Sequence, residues 1–385
     1  MNFDPTPEQQ LLRESVAALG KRYGHGYYVR KAKDGGHTDE LWAEAAKLGY
    51  LGVSVPVEYG GGGGGITELA IVCEELAAAG CPLLLLVVSP AIAATVVAKH
   101  GTPAQRRAFL PGFADGTLKV CFAITEPDAG SNFHRLSTVA GRDGDGYVLS
   151  GRKVFISGVD ESAYLLVVAR LADQRTGKLS PALFLVPTDA PGLTYQRIEM
   201  EIVSPEHQFT VYLDDVRLPA DALLGDEEAG LPALFSGLNP ERITVAAMGA
   251  GTARYALAKA SSYVAGRTVW GRPIGAHQGV SHPLAHATVQ VELARLMVAK
   301  AATLYDAGRD VEAGVAANMA KYATAEAATL AVDTAIQAHG GNGMATGYGV
   351  ATLLGGVRAG RIAPVSREMI LNFVAQHVLG QEKSY

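Results

Sequence analysis

The chain has 385 residues, of which 48% are apolar and 18% charged, and its net charge is −5. This length exceeds that of one ordinary domain, so two or three domains are expected. No long Lys/Arg run is present, which argues against a nucleic-acid partner, and the longest apolar run, Pro82–Pro90, is too short to span a bilayer. The N-terminus lacks a signal-peptide pattern and the three cysteines lack metal spacing. These features predict a soluble, cytoplasmic protein that binds no membrane.

The first 117 residues carry helical patterns. Thr6-Pro7-Glu8-Gln9 and Thr102-Pro103 are helix starts, because threonine can cap the first turn and proline suits it. Two further helices are expected at Leu41–Leu48 and Ile66–Ala79. The six glycines of Gly60–Gly65 predict a loop, since no periodic element tolerates such a run.

Helical periodicity disappears between about residues 118 and 228, where short alternating runs are separated by Gly, Asp and Pro. This pattern is typical of a small antiparallel β-domain. The predicted strands are Val120–Thr125, Tyr147–Leu149, Lys153–Ser157, Tyr164–Arg170, Ala182–Val186 and Thr210–Leu213, with a turn at Gly151.

The last segment returns to long helices. Asn239-Pro240-Glu241-Arg242 predicts a helix start with Asn239 as the cap. Three further helices, at 281–307, 311–338 and 366–379, complete an antiparallel four-helix bundle. The expected architecture is therefore α+β, with an N-terminal helical domain (1–117), a middle antiparallel β-barrel-like domain (118–228) and a C-terminal four-helix bundle (229–385).

Two stretches carry the functional signal. Val120–Thr138, which reads VCFAITEPDAGSNFHRLST, is a strand that ends in a loop of small and hydroxyl residues. Tyr147–Gly158, which reads YVLSGRKVFISG, ends in an aromatic-x-hydroxyl step. Together they resemble the TEP-x-AGS and W-x-T segments of the acyl-CoA dehydrogenase family. Arg267–Ile274 and Gln337–Gly343 resemble that family's R-x-x-F-G-x-x-I and Q-x-x-GG-x-G turns, so the resemblance covers nearly the whole chain.

The resemblance implies FAD as the cofactor. Thr125 and Ile124 would bond the pyrimidine side of the ring, Phe155 would replace the family's tryptophan beside the ring, and Ser157 would replace the threonine that donates to N5. The arginine and glycine turns suit a diphosphate, because a guanidinium donates in a planar fork and glycine lets backbone N–H groups approach closely. The full set of expected cofactor-binding residues is Phe122, Ile124, Thr125, Gly130, Ser131, Phe155, Ser157, Arg267, Trp270, Gln278, Gln337, Gly340, Gly341, Ser366 and Glu368.

The catalytic base is expected at Glu241. Most family members supply a glutamate from a loop before the last helix, but Pro364 stands at that position here. The isovaleryl-CoA type instead places it where Glu241 stands. A helix N-terminus and Arg242 would lower the pKa of Glu241, and burial would raise it. Glu368 is the nearest alternative base.

The implied reaction is α,β-dehydrogenation of an acyl-CoA to a trans-2-enoyl-CoA in fatty acid metabolism, with Ser131 and Arg242 as substrate-binding residues. An electron-transfer flavoprotein would accept the electrons, and the family is usually homotetrameric. Two alternatives stay open: a flavin-dependent oxidase or monooxygenase on the same scaffold, and a non-catalytic binding relative. No metal is expected, because His134, His277 and His339 show no metal-ligand spacing.

Overall fold

The computed structural model describes residues 4–172, 176–227 and 230–383. Its α-helices are α1 Pro7–Asp34, α2 Asp39–Lys47, α3 Ile66–Ala78, α4 Thr95–His100, α5 Pro103–Ala114, α6 Gly230–Gly266, α7 Gln278–Asp306, α8 Asp310–His339, α9 Gly341–Met344, α10 Leu354–Ala359 and α11 Arg367–His377. Its strands are β1 Val120–Ala123, β2 Val139–Asp143, β3 Gly146–Ser157, β4 Tyr164–Ala172, β5 Leu179–Pro187, β6 Leu193–Ile198, β7 Gln208–Leu218, and the short hairpin β8 Thr268–Val269 with β9 Arg272–Pro273. Helices, sheet and helices follow one another, which confirms the predicted fold class.

The N-terminal helices begin where their capping residues stand. The hydroxyl groups of Thr6 and Thr102 accept hydrogen bonds from Gln9 N and Gln105 N, both at 3.2 Å, and both helices have proline in the first turn. The glycine run forms the predicted loop and ends at Gly65, the N-cap of α3. Local sequence therefore determines this part of the fold.

The sheet has the order β1-β4-β2-β3-β7-β6, with β5 paired to β4. Most pairs are antiparallel, as predicted, but β4 runs parallel to both β1 and β2. The predicted turn at Gly151 is wrong, because β3 is a continuous strand that shifts register against β7 there. Gly151 is needed for a close approach instead: a Cβ at this position would lie 2.4 Å from Oγ1 of Thr138.

The predicted helix start at Asn239 is also wrong. Helix α6 already includes Gly230 and continues through Pro240. Proline removes one backbone donor, and the Pro240 carbonyl accepts a hydrogen bond from the Thr244 hydroxyl at 2.8 Å. The Asn239 side chain accepts from Nη1 of Arg242 at 3.0 Å rather than capping the helix. Glu241 therefore lies inside the helix, far from the positive end of its dipole.

The C-terminal helices pack on one another and on α3, with α11 against α8. Small residues allow close approach: a Cβ on Gly251 of α6 would lie 2.1 Å from the Glu74 carbonyl oxygen of α3. Buried Glu74 accepts from Arg13, Arg254 and Arg295 at 3.1, 2.8 and 2.6 Å. These bonds join α1, α3, α6 and α7. No helix in the described ranges combines the length and apolarity needed to cross a bilayer.

A buried ion pair connects the two stretches that the sequence singled out. Nζ of Lys153, on β3, donates to Oε1 of Glu126 at 2.8 Å and to the Ile124 carbonyl at 3.1 Å. The backbone N–H groups of Ser137 and Thr138 also donate to Glu126, at 2.6 and 3.0 Å. Burial raises the pKa of Glu126, but the bonds from Lys153, Thr138 and Ser137 outweigh it and lower that pKa to about 2.

We expect Lys153→Met to destabilise the protein by about 3–5 kcal/mol, because it leaves a buried carboxylate without its counter-charge. The measurement is the free energy of unfolding in urea at pH 7. Lys178→Met is the matched control, since Lys178 is exposed. A loss below about 1 kcal/mol would show that Lys153 does not stabilise the loop.

The same pair predicts an acid sensitivity. Because the folded-state pKa of Glu126 lies below its ordinary value of about 4.3, its contribution is complete above that value. The contribution falls as the pH drops toward about 2. Urea titrations at pH 7 and pH 3 should therefore show a smaller difference between wild type and Glu126→Gln at the lower pH.

Candidate active site

The structure joins the two motif stretches at their ends. The N–H of Val154 donates to the Thr125 carbonyl at 2.9 Å, beside the bond from Lys153 to Ile124. Thr125 and Phe155, which the sequence assigned to one flavin site, therefore lie on adjacent segments. Phe122 and Ile124 are partly buried on the same segment as Thr125.

Phe155 has a backbone conformation that non-glycine residues rarely adopt, with φ of 57°. It sits at a second register shift between β3 and β7, between Lys153 and Ile156. This irregularity turns its ring outward, and 56% of the residue is exposed. Strained backbone that presents a large apolar ring to solvent is typical of ligand contacts.

Ser157 is held by a side chain that the sequence reasoning missed. Its hydroxyl donates to Oε1 of Gln208 at 3.1 Å and accepts from Nε2 at 2.9 Å. Gln208 begins β7 and pairs with Ser157 across the sheet. The hydroxyl position is therefore set by a neighbouring strand, as a precise ligand contact requires.

The loop after β1 is open and polar. Gly130 and Ser131 are exposed, and a Cβ added to Gly130 would meet nothing within 4 Å. Within the described residues, the hydroxyls of Thr125 and Ser131 make no hydrogen bond to protein groups. Free hydroxyls, a glycine bordering open space and an exposed aromatic ring fit a flat, polar ring system such as flavin.

The other predicted cofactor residues gather at one end of the helical bundle. Arg267 follows α6, Gln278 begins α7, and Gln337 lies in the last turn of α8. The rings of Tyr263 and His339 stack at 4.3 Å and join these helix ends. Trp270 is 89% exposed, and Gln278, Gln337, Gly340 and Gly341 are also exposed. In the described ranges no hydrogen bond or ion pair links this group to the β-domain site, so the chain presents two separate groups.

Glu241 lies among charged side chains. It is partly buried on α6, and burial raises its pKa to about 7 although Arg242 and Lys321 lower it. The sequence left this balance open, and burial prevails. Nε of Arg242 is buried without a hydrogen-bond partner among the described residues, so a donor beside Glu241 is available to a ligand.

Lys321 is a site residue that the sequence reasoning missed. It lies on α8 and is 1% exposed. Its Nζ donates to the Val365 carbonyl, next to Pro364. Burial, then Arg242, lowers the pKa of Lys321 to about 8, whereas Glu241 and Glu368 raise it. A lysine among apolar alanines of a helix gave no sequence signal; only tertiary packing brings it to Glu241.

Contacts before and after the loop that follows β1 connect helix α6, which carries Glu241, to the segment that carries Thr125. The rings of Phe133, after the loop, and Phe235, on α6, meet edge to face at 6.0 Å. The π-helical segment Val87–Ala94 packs against both β1 and α6, and the Ser89 hydroxyl accepts from Val120 N at 3.1 Å. The base candidate and the flavin candidates are thus held by one continuous scaffold.

Ser366 and Glu368 lie at the start of α11. The Ser366 hydroxyl caps the helix by accepting from Met369 N at 3.2 Å. Both residues line a cavity of about 260 Å³, together with Arg358 and Arg361. Glu368 is exposed, which makes it a weaker base candidate than Glu241.

The comparisons with known proteins agree with this arrangement. Models of the N-terminal, middle and C-terminal domains of acyl-CoA dehydrogenases match residues 6–117, 121–216 and 228–379. The set of three domains defines a class of dehydrogenase, and the chain belongs to the acyl-CoA dehydrogenase family. This confirms the predicted family, the enzyme class and, at the level of the family, flavin-dependent acyl-CoA dehydrogenation.

Individual relatives cover the whole chain. The acyl-CoA dehydrogenase FadE12 of Mycobacterium tuberculosis is 59% identical over 384 residues, covering 100% of this chain and 99% of that protein. The butyryl-CoA dehydrogenase structure from Megasphaera elsdenii has a TM-score of 0.92 at 29% identity, with 99% and 100% coverage. A glutaryl-CoA dehydrogenase from Mycobacterium smegmatis, solved with FADH2, has a TM-score of 0.90 at 25% identity, with 99% and 97% coverage. The last structure supports FAD as the expected cofactor.

We expect Lys321→Met to raise the pKa of Glu241 above about 7, because a positive charge that favours the carboxylate is removed. If Glu241 must be ionised for activity, the acid limb of the pH profile of kcat/KM should move up by about 0.5–1 pH unit. The measurement is acyl-CoA-dependent reduction of a dye between pH 5.5 and 9. Lys300→Met, on the exposed part of α7, is the control and should leave the profile in place. An unmoved limb in Lys321→Met would contradict the coupling.

Proposed function

We propose that the protein is an FAD-dependent dehydrogenase that converts an acyl-CoA to a trans-2-enoyl-CoA, with Glu241 as the base. The observation that carries the proposal is a carboxyl group whose pKa is raised to about 7 by burial, beside Arg242 and Lys321. A carboxylate with a pKa near the working pH accepts protons efficiently. Pro364, at the position where the family resemblance puts the alternative base, has no group that accepts a proton.

FAD fits the groups that the fold presents. Thr125 and Ser131 offer free hydroxyls, Phe155 offers a ring face, and Ser157 offers a hydroxyl oriented by Gln208. We infer that Phe122, Ile124, Gly130, Ser366 and Glu368 border the same site. Arg267, Trp270, Gln278, Gln337, Gly340 and Gly341 would hold the diphosphate and adenosine portions, and their separation from the flavin segment is explained if they act across a subunit interface of a homotetramer.

The chain's own residues account for the proton step. Glu241 takes the proton from the α-carbon of the thioester, and its carboxylate becomes a neutral carboxyl group. The nearby cations Arg242 and Lys321 favour the carboxylate before the transfer. When bound, FAD supplies the acceptor for the hydride that leaves the β-carbon. Arg242 and Ser131 would hold the acyl-CoA, since each has an uncommitted donor at the site.

The electrons would then pass to an electron-transfer flavoprotein, which we propose as the protein partner. The relatives differ in the acyl groups that their names state, from butyryl-CoA to glutaryl-CoA, so the proposal specifies the thioester class and not the chain length.

We expect Glu241→Gln to lower kcat by about 10²–10⁴-fold, the usual contribution of a general base, with FAD still bound. The measurement is anaerobic bleaching of the oxidised flavin absorption by a panel of straight and branched acyl-CoAs. Glu368→Gln tests the alternative base and should retain bleaching. In the wild type, the rate should fall as the pH drops below about 7, because Glu241 then becomes protonated.

The other outcomes identify the alternatives. Bleaching that survives in Glu241→Gln but is lost in Glu368→Gln would move the base to Glu368. A yellow wild-type protein that no acyl-CoA bleaches would contradict the dehydrogenase proposal and favour the oxidase or monooxygenase reading. A colourless protein that takes up no FAD would favour a non-catalytic binding relative.

A further inference from the structure

A second group of ligand-type side chains lies near the end of the strand that carries Ser157. It comprises His37, from the loop between α1 and α2, Asp160, which follows β3, and His207, which precedes β7. One donor atom from each residue lies within 4.8 Å of the other two. Sequence spacing gave no sign of this cluster, because 123 and 47 residues separate its members.

Asp160 is the centre of the cluster. Its Oδ2 lies 2.7 Å from Nδ1 of His207 and 3.5 Å from Nε2 of His37. In a tetrahedral zinc site with bonds of about 2.0–2.1 Å, neighbouring donor atoms lie about 3.3–3.4 Å apart. Both distances to Asp160 are within an ångström of that value, so small side-chain movements would complete the geometry.

The two imidazole rings also have suitable positions. Their centroids are 5.2 Å apart and their planes are inclined by 57°. Two imidazoles on one tetrahedral metal, with bonds of about 2.0–2.1 Å, have centroids about 5 Å apart. The widest donor separation, at most 4.8 Å, would have to close by up to about 1.5 Å. The loop of His37 contains Gly35 and Gly36, which can accommodate such a movement.

Among the described residues, each of the two histidines keeps one ring nitrogen without a hydrogen bond, whereas Nδ1 of His207 is hydrogen-bonded to Oδ2 of Asp160 at 2.7 Å. The His207 side chain is 6% exposed, yet its Nε2 is buried without a hydrogen-bond partner in the described part of the chain. Nδ1 of His37 is also buried without such a partner, and lies 3.4 Å from Oε1 of Glu161. Lys119 is paired with Glu161, the neighbour of Asp160, and with Asp39, at 2.6 and 3.2 Å.

We propose that His37, Asp160 and His207 form a binding site for a divalent metal of the zinc type. Two imidazoles and one carboxylate are a usual three-ligand set for Zn²⁺, with water in the fourth position. Asp160 is exposed, which gives an ion and its water a route into the site. The ion would tie the α1–α2 loop to the sheet.

The site adjoins the candidate flavin segment without belonging to it. The carbonyl of His207 accepts from Gly158 N at 2.9 Å, and its neighbour Gln208 orients Ser157. A metal bound here would therefore brace the end of β3 next to Ser157. We assign the ion a structural role, because the base and the proposed flavin groups lie elsewhere.

The test is binding of Zn²⁺ to chelator-treated holoenzyme, measured by titration calorimetry and by the visible d–d absorption of added Co²⁺. We expect one ion per chain in the wild type and a tetrahedral Co²⁺ spectrum. His37→Gln and Asp160→Asn should each weaken binding by at least about tenfold, because each removes one ligand. His286→Gln, on the exposed face of α7, is the control and should bind as the wild type does.

Two results would overturn the proposal. One is the absence of stoichiometric Zn²⁺ binding by the wild type, which would leave an Asp160-centred hydrogen-bond cluster. The other is equal affinity in the wild type, His37→Gln and Asp160→Asn, which would place the ion elsewhere. His37 is partly exposed, so His37→Gln should fold. The flavin spectrum of each variant checks that the holoenzyme is intact.

Discussion

The position of the candidate flavin site depends on one buried ion pair. Glu126 lies at the start of the loop that follows β1, and Lys153 precedes the strained Phe155 on β3. Their bond, with the bond from Lys153 to the Ile124 carbonyl, fixes the two segments against each other. A buried pair stabilises little compared with an apolar pair of similar shape, but breaking it is costly. We infer that its value lies in specifying one loop conformation, and that the open geometry around Gly130 and Ser131 depends on it.

A different electrostatic balance operates at Glu241. Burial raises the pKa of this carboxyl group to about 7, while Arg242 and Lys321 keep that pKa from rising further. Because α6 continues through Pro240, the helix dipole does not contribute at Glu241, and the two side-chain cations carry the opposing effect alone. Pro240 within a helix would ordinarily be costly. Here Thr244 bonds its carbonyl, and the helix is held on α3 by the arginines around Glu74.

The sequence predicted those features that local residues determine. Helix caps at Thr6 and Thr102, the glycine loop and most of the strands follow from side chains within a few positions of one another, whereas β2 and β6 were not predicted. It failed where tertiary contacts override a local signal: Asn239-Pro240 resembles a helix start, yet Asn239 binds Arg242 and the helix begins earlier. Gly151 resembles a turn, yet it is required by close contact with Thr138. Gln208 and Lys321 gave no signal, because their roles come only from the elements packed beside them.

A tertiary contact also connects the proposed base, Glu241, to the loop before α11 that contains Pro364. By the family resemblance, the base lies on α6 at Glu241 and not at position 364, where this chain has a proline. Lys321 then donates to the carbonyl of Val365, the next residue, so the loop is attached to α8 by a cation that also faces Glu241. The buried Lys321 thereby connects the loop around Pro364 to Glu241. A substitution that removes the Lys321 ammonium therefore removes both the loop anchor and the positive charge beside Glu241, because a single side chain serves the two tasks.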